Sequence, residues 1–102
     1  MSVVGFLSTS PVVERSMAPE VAQAVEALED FDVTYSVGPM GTTIEAPDTS
    51  ELFAAAQAAH DAVDSDRVST FLKVDDKRTV DEPAAEKVEA VEAELGRSPL
   101  SQ

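Results

Sequence analysis

Val3, Val4, Gly5, Phe6 and Leu7 form a short apolar run between Ser2 and Ser8, closed by Ser-Thr-Ser-Pro. The run predicts a strand that can be buried on both sides. Met17, Val21, Ala24, Val25 and Leu28 then recur at helical spacing with acids between them. They predict a helix with Ser16 as N-cap and Pro19 tolerated in the first turn. Val33, Tyr35 and Val37 alternate with Thr34 and Ser36, a strand with one apolar face. Gly38-Pro39-Met40-Gly41 interrupts it, and Thr42 to Ala46 alternates again around Ile44, so the pair predicts a β-hairpin. Asp48 followed by Glu51 has the form of a capping box. The second helix runs through Leu52, Phe53, Ala56, Ala59, His60 and Val63. After Asp66-Arg67, Val68, Thr70, Leu72 and Val74 alternate with Ser69, Phe71, Lys73 and Asp75 as a fourth strand. Glu82-Pro83 opens a third helix with Ala84, Val88, Val91 and Leu95 on one stripe; Gly96 is the C′ residue and Pro99 forbids continuation.

The order β-α-β-β-α-β-α predicts an α/β domain of the α+β kind. It is the ferredoxin-like βαββαβ unit, a four-stranded antiparallel sheet with two helices on one face, plus a C-terminal third helix. Right-handed crossovers give strand order 4-1-3-2. The other sheet face is left bare, with Phe6, Tyr35, Ile44 or Phe71 as candidates to occupy it. An apolar face of this kind predicts oligomerisation through the sheet, or cover by the third helix. At 102 residues the chain reads as one domain over 1–96 with a flexible tail over 97–102.

Composition narrows the function classes. The absence of cysteine removes disulfides, thiol nucleophiles and thiolate metal sites, and a single histidine removes a multi-histidine metal cluster. Twenty acidic residues against seven basic ones give a net charge of −13. Such a chain repels nucleic acid and anionic membranes. Two readings of the charge remain: attraction of cationic ligands or metal ions, and a surface adapted to high intracellular salt. Scarce lysine and scattered acids favour the halophilic surface. The first 13 residues carry no charge and include Gly5 and Pro11, a poor match to a signal peptide. No apolar run reaches membrane-spanning length. The expected location is cytoplasmic.

Two stretches could carry chemistry. In Ser36–Glu45 two glycines permit close backbone approach, and three hydroxyls and a carboxylate follow. Alternation puts Thr43 and Glu45 on one face. A small-molecule site and a hairpin with polar edges both fit. In Lys73-Val74-Asp75-Asp76-Lys77-Arg78 alternation sends the two aspartates to opposite faces, so they cannot chelate together. His60, beside the apolar stripe, reads as a hydrogen-bonded structural residue. No phosphate-binding loop, nucleophile elbow or zinc motif occurs.

The run Gly38–Ala46 resembles the "PMGTxIE" hairpin of the YkoF-like thiamine-binding proteins. Ala58-Ala59-His60-Asp61-Ala62 is similar to that family's "AAHEA", Asp66–Thr70 to its "DRVxT", and Lys73–Arg78 to its "KIDDRRD". The resemblance spans roughly Phe31 to Arg78. The chain departs from the pattern at Thr79, where the family has Asp, and in a short loop before Asp66. The resemblance implies a ferredoxin-like fold and a homo-oligomer, dimer or tetramer, built by joining sheets. It also implies binding of thiamine or its hydroxymethylpyrimidine moiety without turnover, for vitamin transport, storage or salvage. Thiamine would then be a ligand, not a cofactor; no catalytic or metal-binding residues are expected. Against that ligand Glu45 is the acceptor for the aminopyrimidine, and Ser36, Thr42 and Thr43 bond its polar edge. Gly41 allows close approach, Met40 forms a soft wall and Asp75 pairs with the thiazolium. A structural or regulatory homo-oligomer with a vestigial or different small-molecule pocket is the alternative. A ferredoxin-like enzyme finds no recognisable acid–base pair in the chain.

Overall fold

A computed structural model describes residues 2–12, 17–78 and 84–96, with backbone alone over 84–87. Ser16, Thr79, Glu82-Pro83, Pro99 and the 97–102 tail lie outside the described residues. The elements follow in the expected order: β1 (Val3–Pro11), α1 (Ala18–Ala27), a 3₁₀ turn (Leu28–Asp30), β2 (Thr34–Val37), β3 (Thr42–Ala46), α2 (Thr49–Ala62), β4 (Val68–Asp75) and α3 (Ala84–Leu95). The sheet is antiparallel in the order β2-β3-β1-β4, the ferredoxin-like arrangement expected from the chain.

Strand β1 is longer than its apolar run. Its period-two pattern continues past Leu7 through Thr9 to Pro11, with these alternate positions buried and the others half-buried. The buried set, Val3, Gly5 and Leu7, pairs with Ala46, Ile44 and Thr42 on one side and reaches Val74 and Leu72 on the other. This face meets the helices. The core joins Leu28 of the 3₁₀ turn to Leu52, Ala55, Ala56 and Ala59 of α2. Gly5 lets α2 press close to the sheet, because a Cβ there would lie 2.8 Å from Leu52 Cδ1. Full burial of a leucine such as Leu52 contributes about 1.5–3 kcal/mol.

Register also assigns the bare face. Tyr35 pairs with Ile44, and Ile44 is fully buried, so both point toward the helices and not into the open face. Phe6 and Phe71 do occupy the open face, with Phe71 58% exposed. Among the described residues the third helix makes no broad contact with the sheet, and Val88, Val91 and Leu95 of its stripe are exposed. It ends at Gly96 with φ +71°, the left-handed cap that glycine adopts without strain. No helix among the described residues is long and apolar enough to cross a membrane.

Candidate functional site

The hairpin that joins β2 to β3 is closed by Gly38 N–H donating to Gly41 O at 2.9 Å. Beyond it, alternation splits the named residues between two surfaces. Ser36 pairs with Thr43, and Thr34 pairs with Glu45, on the open face. Thr34, Tyr35, Ser36, Thr43 and Glu45 line a shallow depression of ≈130 Å³. Asp75 belongs to the same face but not to the same cluster. It and Glu45 both stand opposite Val4, two strand spacings or about 10 Å apart. A second depression of ≈190 Å³ lies between Val4, Phe6, Thr43, Lys73 and Asp75.

Met40, Gly41 and Thr42 go elsewhere. They line a cavity of ≈180 Å³ on the helix side, between the hairpin, the far half of β1 and one face of α1. Its walls are Leu7, Met17, Val21, Ala24, Val25, Leu28, Val37 and Pro39, with Ser8, Thr9, Ser10 and Thr42 supplying hydroxyls. Thr42 is 6% exposed and Met40 80%. Gly41 serves the protein itself. A Cβ there would lie 2.6 Å from Phe6 Cζ and 2.7 Å from Leu7 O, so its bare backbone admits the Phe6 ring. The seven residues singled out from the sequence therefore do not form one site within one chain.

Other polar groups knit the scaffold. Thr9 Oγ1 and Thr70 Oγ1 lie 2.7 Å apart, and Thr70 also bonds His60 Nδ1. His60 thus ties α2 to β4, as its structural reading expected. Arg78 Nε donates to Asp76 Oδ2 at 3.1 Å. Tyr35 OH donates to Glu29 Oε1 at 3.0 Å. That hydrogen bond, with burial and the negative charge of Glu29, holds the phenol above its ordinary pKa. The sequence reading missed the α1 wall of the cavity, although the helical stripe Met17-Val21-Ala24-Val25-Leu28 carried the signal. No group of acidic or histidine side chains among the described residues is arranged to hold a metal ion.

The strand order and the crossover helices define a small α+β domain of ferredoxin-like architecture. A family profile described as thiamine-binding protein matches residues 6–92, and the chain belongs to that family. A UPF0045 protein of Methanothermobacter thermautotrophicus is 47% identical over 83 residues, covering 78% of this chain and 84% of the relative. The crystal structure of a Methanocaldococcus jannaschii protein superposes with TM-score 0.82 at 30% identity, covering 88% of this chain and 95% of that one. A Thermotoga maritima protein provisionally assigned to thiamine biosynthesis or salvage shares the fold, with TM-score 0.77 at 22% identity over 89% and 99% of the two chains.

Proposed function

We propose that the chain binds thiamine or its hydroxymethylpyrimidine moiety without turning it over, on the open sheet face of a homo-oligomer. The observation that carries this reading is the side-by-side register of Ser36–Thr43 and Thr34–Glu45 in a member of the thiamine-binding family. An aminopyrimidine offers a donor to a carboxylate and acceptors to hydroxyls, and this cluster holds the complementary groups. Among described side chains, Glu45, Asp75 and Lys73 are the only charges on the face. Two copies can therefore approach there with little of the repulsion that −13 per chain otherwise imposes. A second copy excludes water from the cluster and strengthens its charged hydrogen bonds. Asp75, about 10 Å from Glu45, is in reach of a cationic ring extending across the face.

Calorimetric titration with thiamine and with hydroxymethylpyrimidine in molar salt tests this, alongside light scattering. Glu45→Gln keeps the shape and removes the charge. It is expected to weaken binding by about 1.5–3 kcal/mol while assembly persists. Unchanged affinity in Glu45→Gln with affinity lost in Asp75→Asn would move the ligand to β4. A monomer at micromolar concentration would remove the shared-face arrangement.

A further inference from the structure

Strand β4 is outermost in the sheet and runs for eight residues, against four for β2 at the other edge. It carries no proline, and its ladder with β1 runs without a bulge from Asp75 to Val68. Among the described residues no element makes broad contact along its outer side. Such an edge is a template for another strand. One hydrogen bond fixes which residues serve it. Val12 N–H donates to Arg67 O at 3.0 Å, continuing the β1–β4 register. Arg67, Ser69, Phe71, Lys73 and Asp75 therefore direct their backbone groups toward β1. Val68, Thr70, Leu72 and Val74 direct theirs outward, while the side chains of Val68, Leu72 and Val74 pack against the core. Pro11, which has no N–H, stands opposite Val68, as this phase allows.

We infer that β4 pairs antiparallel with β4 of a second copy about a two-fold axis at Phe71, joining the two sheets edge to edge. Charge selects this register. With both faces kept matched, the strands shift only in steps of two residues. With Phe71 on the axis, Arg67 stands opposite Asp75 of the second copy, and Ser69 opposite its Lys73. With Thr70 on the axis Arg67 meets Lys73, and with Leu72 on the axis it meets Lys77, a like-charge contact in both cases. The Phe71 register also matches the whole outward set. Val68 pairs with Val74 and Thr70 with Leu72, each pair exchanging two backbone hydrogen bonds. The two Phe71 rings, each 58% exposed in the single chain, meet on the open face. Asp66 then stands opposite Asp76, a cost reduced by Arg78, which pairs with Asp76 at 3.1 Å. The interface uses the strand edge, and it does not rest on the ligand reading above.

The test uses the full chain in molar salt, without ligand. Isotope-filtered NMR on a mixture of labelled and unlabelled copies is expected to place the Ser69 α-proton beside that of Lys73 in the other copy. The amides of Val68, Thr70, Leu72 and Val74 are expected to gain protection from hydrogen exchange as concentration rises. Arg67→Glu is expected to weaken dimerisation about 5- to 30-fold by sedimentation. Adding Asp75→Arg to Arg67→Glu should restore it, which a merely structural effect of either residue would not do. Fast exchange of those amides in an assembled chain would place the contact on the open face and overturn the proposal. A monomer at millimolar concentration, a Ser69 contact with Phe71 or Asp75 instead, or an Arg67→Glu defect that the double variant does not rescue would also overturn it.

Discussion

Tyr35 shows how one contact reports on the folded state. Its hydroxyl donates to Glu29, and ionising the phenol would set two negative charges against each other. The raised pKa means that the folded chain favours the protonated phenol. The stabilisation is therefore fully present below the unfolded value near ~10 and is lost as pH rises through the higher folded value. The chain has one tyrosine and no tryptophan, so near-ultraviolet absorbance follows this group alone. Its midpoint should lie above that of free tyrosine, and Glu29→Gln should lower it. Equal midpoints in the two proteins would show that Glu29 does not hold the phenol. The contact was not legible in the sequence. Alternation placed Tyr35 on an apolar face, but the orientation of that face depended on register, which only the pairing of Tyr35 with Ile44 supplies.

At the scale of elements, the start of α2 was legible and its finer chemistry was not. Asp48 caps the helix as expected, with Oδ1 accepting from Glu51 N–H at 2.8 Å. The reciprocal half of the capping box is replaced. Glu51 Oε1 accepts instead from Asp32 N–H at 2.9 Å, nineteen residues away, and binds the entry to β2 onto α2. Local spacing cannot foresee a tertiary donor that competes with the local one. Asp48→Ala should cost about 1 kcal/mol in urea unfolding, and no loss would mean that the cap is redundant. The candidate site was partly legible for a similar reason. Period two correctly grouped Thr43 with Glu45, but it could not say that Thr42 and Met40 would face a helix that lies far away in sequence.

For the whole molecule, charge and topology act together. Four strands and two crossover helices could be read from punctuation and period, because each element buries one regular stripe. The bare face was also foreseeable from topology alone. Which aromatic rings occupy it needed the register of β1 with β4. Net charge of −13 makes stability sensitive to screening. Lowering salt from 1 M to 0.1 M lengthens the screening distance from ~3 Å to ~10 Å. If the surface is adapted to high salt, the melting temperature should fall over that range. An unchanged melting temperature would argue against that adaptation.

The position of β1 also affects how the molecule is made. It precedes the other three strands of the sheet in the chain, yet it lies at the centre of the sheet, between β3 and β4. Its longer ladder, with β4, must wait for about 60 further residues to emerge, which takes several seconds at roughly 5–20 residues per second. Until then the nascent chain displays Phe6 and an open row of backbone donors and acceptors, the kind of edge that recruits another chain. The interval between the synthesis of β1 and that of β4 is therefore one in which this acidic domain is open to misassembly, and its net negative charge opposes the approach of a second nascent copy.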